Sequence, residues 1–312
     1  MGKRAEAAYR NALKTGLLGR RAAEARQRLS RCRLCPRDCG ANRLEGELGF
    51  CRTGRRARVA SAHPHFGEED PLVGERGSGT VFFSFCNLLC LFCQNFEISH
   101  GGEGREVSDE ELARILLAVQ EMGCHNINLV SPSHVVPQIL AAVAIAAEQG
   151  LDLPLVYNTG GYDRVETLAL LDGIVDIYMP DFKFWDPEVA RASCQAPDYP
   201  EVARAALKEM HRQVGDLVVD EEGIARRGLI VRHLVLPGGL AGTREVMGFI
   251  AREISPSTYV NLLSQYRPCG RAREVEGLER ALSAAEFRRA VEEARAEGIT
   301  RLDRPLRGLR WP

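Results

Sequence analysis

The sequence predicts an α/β fold built on a parallel sheet. Two observations carry that expectation: six short apolar runs rich in β-formers alternate with helical patterns, and a polar cluster follows each run. The runs cover residues 80–85, 126–130, 153–157, 175–179, 229–236 and 259–263. The helical patterns cover 108–123, 136–149, 164–171, 200–214, 243–253 and 284–297. Ser108 is placed as an N-cap, with Glu111 three residues on. Such alternation gives parallel strands joined by crossover helices, in an open doubly wound sheet or a full or partial barrel. The polar clusters are Ser84-Phe85-Cys86-Asn87, Ser131-Pro132-Ser133-His134, Asn158-Thr159-Gly160, Asp181-Phe182-Lys183, Arg232-His233 and Gln265-Tyr266-Arg267. Ligands of parallel α/β folds bind at the carboxyl ends of strands, so six clusters in register predict one shared site.

A chain of 312 residues suits two domains or one large barrel with an appendage. We divide it into an N-terminal helical and cysteine-rich segment, 1–60, and a barrel with a C-terminal helix, 61–312. Apolar content of 45% is ample for a core, and a net charge of −1 gives no global attraction to nucleic acid or to an anionic membrane. The longest apolar run, near 135–147, contains Pro137 and Gln138 and falls short of the ~20 residues that a membrane span needs. The first residues lack the apolar stretch of a secretory signal, which predicts a cytoplasmic protein with reduced thiols. Residues 1–30 read as one or two amphipathic helices. The first 60 residues hold 16 Lys/Arg against 5 Asp/Glu, either as a solvated face or as an anion or nucleic-acid patch. Arginines without interleaved aromatics favour the solvated face.

Seven of ten cysteines fall between positions 32 and 93. Cys86-Asn87-Leu88-Leu89-Cys90-Leu91-Phe92-Cys93 places three thiols in a short loop after the first strand. Three thiolates can hold an iron–sulfur cluster and leave one iron open, whereas zinc ordinarily takes four ligands. Three buried small residues, or a zinc shared with a distant histidine, are the plainer alternatives.

This spacing, with an aromatic before the last cysteine, resembles the radical S-adenosylmethionine (SAM) superfamily. Cys93-Gln94-Asn95-Phe96-Glu97-Ile98-Ser99, Tyr157-Asn158-Thr159-Gly160-Gly161-Tyr162 and Asp181-Phe182-Lys183 resemble its uncharacterised branch related to pyruvate formate-lyase activating enzyme. The resemblance spans about Cys32 to Pro268 and implies a partial (β/α)6 barrel of the TIM type. It implies a [4Fe–4S] cluster on Cys86, Cys90 and Cys93 that reductively cleaves SAM to a 5′-deoxyadenosyl radical for hydrogen abstraction. Phe92 would lie against the adenine. Asn158 and Thr159 would reach the ribose or carboxylate, and Asp181 and Lys183 would serve the SAM carboxylate. The family's Gly-Gly-Glu after the second strand is replaced by Ser131-Pro132-Ser133-His134, so Ser131 and Ser133 stand in for it; Gly101-Gly102-Glu103 follows the wrong strand. His233 and Gln265 are weaker candidates for cofactor or substrate, and a core histidine is an equal reading of His233.

Upstream, Cys32, Cys35, Cys39 and Cys51 form a second four-thiol set suited to zinc or to another iron–sulfur cluster. Cys124, Cys194 and Cys269 read as small core residues. His63-Pro64-His65-Phe66-Gly67-Glu68-Glu69 reads as a loop held by turn residues, or as a metal or substrate contact. The expected partners are SAM, a reductant such as flavodoxin or ferredoxin, and a substrate that is either a protein or a small molecule. The competing class is a non-catalytic electron carrier or metal-binding protein.

Overall fold

The computed structural model describes residues 6–303. The extreme ends of both expected segments, 1–5 and 304–312, lie outside the described residues. Its strands are β1 Ala57–His65, β2 Ser78–Phe83, β3 Arg105–Val107, β4 Ile127–Val130, β5 Leu155–Thr159, β6 Ile177–Pro180, β7 Val218–Val219, β8 Ala225–Leu234, β9 Tyr259–Leu263 and β10 Arg301–Leu302. They form one sheet in the order β10-β9-β8-β6-β5-β4-β2-β1-β3, with β7 paired to β8. The six predicted strands are β2, β4, β5, β6, β8 and β9, all joined in parallel. This is the α/β architecture of a partial barrel.

Two antiparallel strands extend it. β1 pairs with β2 and β3 pairs with β1, so His63-Pro64-His65 lies in a strand and not in the expected loop. The expected boundary at residue 60 falls inside β1. Apolar packing is likewise continuous across it: Tyr9, Ala12 and Leu18 belong to the same buried cluster as the barrel core.

The helix Val136–Glu148 explains the longest apolar run. Most of its residues are buried, with the helix Asp109–Glu121 and the N-terminal helices Ala8–Lys14 and Leu17–Gln27 packed against it. A helix sandwiched in this way is apolar all round, whereas Asp109–Glu121, with one wet face, is amphipathic. Ser108 and Glu111 form the anticipated capping box at its start. Much of the basic charge of the N-terminal segment is taken up in joints: Arg10 donates to Ala147 O at 2.6 Å, Arg28 to Glu166 O at 3.0 Å, and Arg26 pairs with Asp109. Among the described residues no helix is long and apolar enough to cross a membrane.

Candidate active site

The loop after β2 is held from several directions. Phe85 and Leu89 take positive φ angles of 66° and 54°, which bend the chain so that Cys86, Cys90 and Cys93 all line one cavity. Arg37, from the upstream cysteine segment, fastens this bend. Its Nε donates to Asn87 O at 2.9 Å and its Nη2 to Leu88 O at 3.1 Å. The same guanidinium donates to Cys194 O at 2.6 Å and Gln195 O at 2.5 Å, occupying carbonyls at the end of the helix Pro187–Cys194. Asn87 Nδ2 donates to Tyr162 O at 2.6 Å, and Leu91 N to Ser193 O at 2.9 Å.

The cavity has a volume of about 470 Å3, within the range of small-molecule sites. Phe92 forms part of its wall, edge-on to Phe184 and Tyr266 with centroids 5.8 and 6.0 Å away. Ser131, Asn158, Thr159, Asp181, Lys183 and Gln265 also reach it. Ser131 sits there with φ 59°, its N–H donating to Asn158 O at 2.9 Å. Gly161, φ 78°, lets the turn after β5 pass close to the end of β6; a Cβ there would lie 2.2 Å from Asp181 O.

Electrostatics set Lys183 apart. Burial pushes its ammonium down, but Asp181, at 2.6 Å from Nζ, and the neighbouring thiols of Cys90 and Cys93 push it up further, so it stays charged. Burial raises the Cys86 thiol to about 12, with Cys90 adding to the rise. The Cys90 thiol is raised first by its hydrogen bond with Cys194 and then by burial. Buried, mutually repelling thiols lose their protons readily only to a metal centre. Among the described residues no group of three or more Cys, His, Asp or Glu side chains is arranged to hold a single metal ion. A polynuclear iron–sulfur cluster spreads its thiolates over separate irons, and three thiols along the wall of one cavity fit that demand.

Comparison with known proteins decides the family. Residues 80–221 match the model of the Radical SAM superfamily. The chain is also 31% identical over 288 residues to the uncharacterized protein MJ0674 of Methanocaldococcus jannaschii, covering 90% of this chain and 79% of that protein. The chain belongs to the radical SAM superfamily. Membership implies a [4Fe–4S] cluster and cleavage of SAM through it.

Within this radical SAM barrel two anticipated residues sit away from the cavity. His233 is fully buried, with Nδ1 2.7 Å from Phe182 O and Nε2 3.0 Å from Thr243 Oγ1. The pleat of β8 is the reason: neighbouring side chains face opposite sides, so Arg232 enters the barrel and His233 meets the helix layer. Ser133 is also turned inward, its hydroxyl 2.9 Å from Thr159 Oγ1. Thr159 donates to Asp163 at 2.5 Å and Tyr157 OH to the same carboxylate at 2.9 Å. Thr159 therefore reaches the cavity with its hydroxyl already engaged.

The cavity also draws on residues to which the sequence reading assigned no firm role. Arg232 bonds Glu68 and, at 2.7 Å, Glu69, while Asn261 Nδ2 donates to Glu69 at 2.7 Å. These contacts tie the segment after β1 to β8 and β9 across the open side of the sheet, and His65, Glu68, Arg232 and Asn261 line the cavity there. The Arg232-His233 pair and the 63–69 string carried the signal, without saying which side chain faced inward. Upstream, the Cys35 thiol is raised to about 12 by burial and then by Cys51, Cys32 and Cys39, so the four sulfurs share one neighbourhood.

Proposed function

We propose that this chain cleaves SAM at a cluster held by Cys86, Cys90 and Cys93. The observation that carries the reading is that these three thiols and the charged Lys183 share the wall of one cavity. When bound, a reduced cluster supplies the electron that splits the sulfonium of SAM into methionine and a 5′-deoxyadenosyl radical. The chain's own residues bind and orient. Lys183, a cationic point charge fixed by Asp181, suits the SAM carboxylate. Phe92 offers an aromatic edge to the adenine. Ser131 and Asn158 offer polar groups to the methionine amino group and ribose, and Gln265 a further polar contact.

The finer reading places the chain in the branch related to pyruvate formate-lyase activating enzyme. Support comes from Cys93–Ser99, Tyr157–Tyr162 and Asp181–Lys183, whose sequences resemble that branch. Its substrate is then a partner protein that receives a radical, with a small molecule as the other choice, and flavodoxin or ferredoxin supplies the electron. A cytoplasmic setting and a second metal, zinc or iron–sulfur, at Cys32, Cys35, Cys39 and Cys51 complete the reading.

The test is anaerobic reconstitution with iron and sulfide, followed by dithionite and SAM. Release of 5′-deoxyadenosine is expected, and its loss in the Cys86→Ala/Cys90→Ala/Cys93→Ala variant. Undiminished release by that variant would falsify the ligand assignment.

A further inference from the structure

We infer that Cys32, Cys35, Cys39 and Cys51 hold a thiolate-bound metal centre whose negative charge is the counter-ion of the buried guanidinium of Arg43. The inference rests on the second-metal reading above and deepens it by naming the residue that the centre answers to.

Arg43 is fully buried in the short turn Arg43–Glu45. Its Nε donates to Gly54 O at 2.9 Å, and its Nη1 to His134 O at 2.9 Å and Cys32 Sγ at 3.7 Å. Its Nη2 is buried with no partner among the described residues. Arginine does not lose its proton in proteins, so the positive charge persists inside. A buried charge needs an opposite charge, and the groups around this one are backbone carbonyls and sulfur. A neutral thiol is a weak acceptor. A set of metal-bound thiolates supplies the missing anion.

The backbone gathers the sulfurs independently of that argument. Cys32 N donates to Ala41 O at 2.9 Å, Gly40 N to Cys32 O at 3.0 Å and Asp38 N to Cys35 O at 3.1 Å, folding the first three cysteines into one knuckle. A second turn, Arg52 N to Gly49 O at 2.8 Å, brings in Cys51. A Cβ on Gly49 would lie 3.4 Å from both Cys39 Sγ and Cys51 Sγ, so these sulfurs flank the same glycine. The local apolar cluster is small, Leu29, Cys32 and Leu34 with Leu44 packed on it. Such a segment gains its order from a bound metal, as small metal-dependent knuckles do.

The centre also bears on the active site. Arg43 fixes His134 at the end of β4, and Arg37, inside the knuckle, fixes the loop that carries Cys86 and Cys90.

The experiment uses the full chain with the other thiol set removed, Cys86→Ser/Cys90→Ser/Cys93→Ser, purified anaerobically and analysed for zinc, iron and acid-labile sulfide. Retention of about four irons with sulfide supports the centre as a cluster; retention of about one zinc supports it as well and requires the four sulfurs, not arranged for a single ion in this structure, to draw together around it. Adding Cys35→Ser and Cys51→Ser is expected to abolish that retention. A variant with native circular dichroism and no bound metal overturns the inference. The charge argument has its own readout: Arg43→Met is expected to speed metal release to a chelator by about 10-fold or more, and Arg43→Lys to preserve much of the wild-type rate. Equal release from Arg43→Met and wild type overturns the counter-ion role. Failure of SAM cleavage in the wild-type chain, with metal retained by the triple variant, removes the functional reading and leaves this one standing.

Discussion

Arg37 grips Leu88 across about fifty residues of sequence, Nη2 to O at 3.1 Å, inside the loop that carries the three cavity-lining thiols. The flat guanidinium lies over Phe50 at 4.3 Å and Tyr162 at 5.2 Å, and its edges meet four carbonyls from two chain segments. A planar fork of five donors fits this geometry, and a lysine does not.

Arg37→Ala is therefore expected to lower folding stability by about 3 kcal/mol, since charged hydrogen bonds are lost and carbonyls are left unpaired. Arg37→Lys is expected to recover only a minor part. Iron retained after anaerobic gel filtration is the functional readout, with both variants expected below wild type. Wild-type iron content in Arg37→Ala would show that the loop holds its shape without the clamp.

Lys183 is the cation beside the thiols, and it remains charged across the assay range because its pKa is raised. Lys183→Met is expected to weaken SAM binding to the reconstituted protein by at least ~10-fold, about 1.4 kcal/mol, measured by calorimetry. It also leaves Asp181 partly buried without its partner, so thermal unfolding is expected at lower temperature. Unchanged SAM affinity would move the carboxylate contact elsewhere in the cavity.

Two buried histidines set an acid limit on stability. Burial lowers His134 to about 3 and His233 to about 4, with Arg43 contributing to the first. Below their ordinary value of 6.5 the unfolded chain takes protons that the folded chain refuses, so stability falls as pH drops. Asp176 acts in the opposite sense, because burial raises it to about 7 and the folded chain keeps a proton that the unfolded chain releases. Each histidine contributes a loss of up to about 1.4 kcal/mol per pH unit between roughly pH 6 and 4.5, and Asp176 offsets one such contribution. His233→Gln, followed by urea denaturation across that range, is expected to lower the slope by about 1.4 kcal/mol per pH unit. A slope equal to wild type would remove His233 from the titrating groups.

The site was legible where its signal is local. Cys86, Cys90 and Cys93 sit together in sequence because one loop must present them together, and Asp181 and Lys183 flank Phe182 because a strand end turns both toward the cavity. Arg37 and Arg43 gave no such signal. Their partners lie about 50 and 90 residues away, and nothing in a run of arginines marks which are buried. Arg232 and His233 show the finer limit: a shift of one residue along a pleated strand moves a side chain from the cavity to the helix layer.

Periodicity and spacing by themselves determined the six parallel strands, the helices between them, the capping box at Ser108 and the trio of thiols after β2. Each of these depends on neighbours within a few turns of chain, where backbone geometry translates directly into pattern. Only the tertiary structure decided that β1 and β3 join antiparallel, that Glu68 and Glu69 reach Arg232 across the open side, and that the N-terminal knuckle braces the thiol loop. Those contacts join segments far apart in the chain. Their stability comes from burying charges and carbonyls against one another, and that burial exists only once the sheet has assembled.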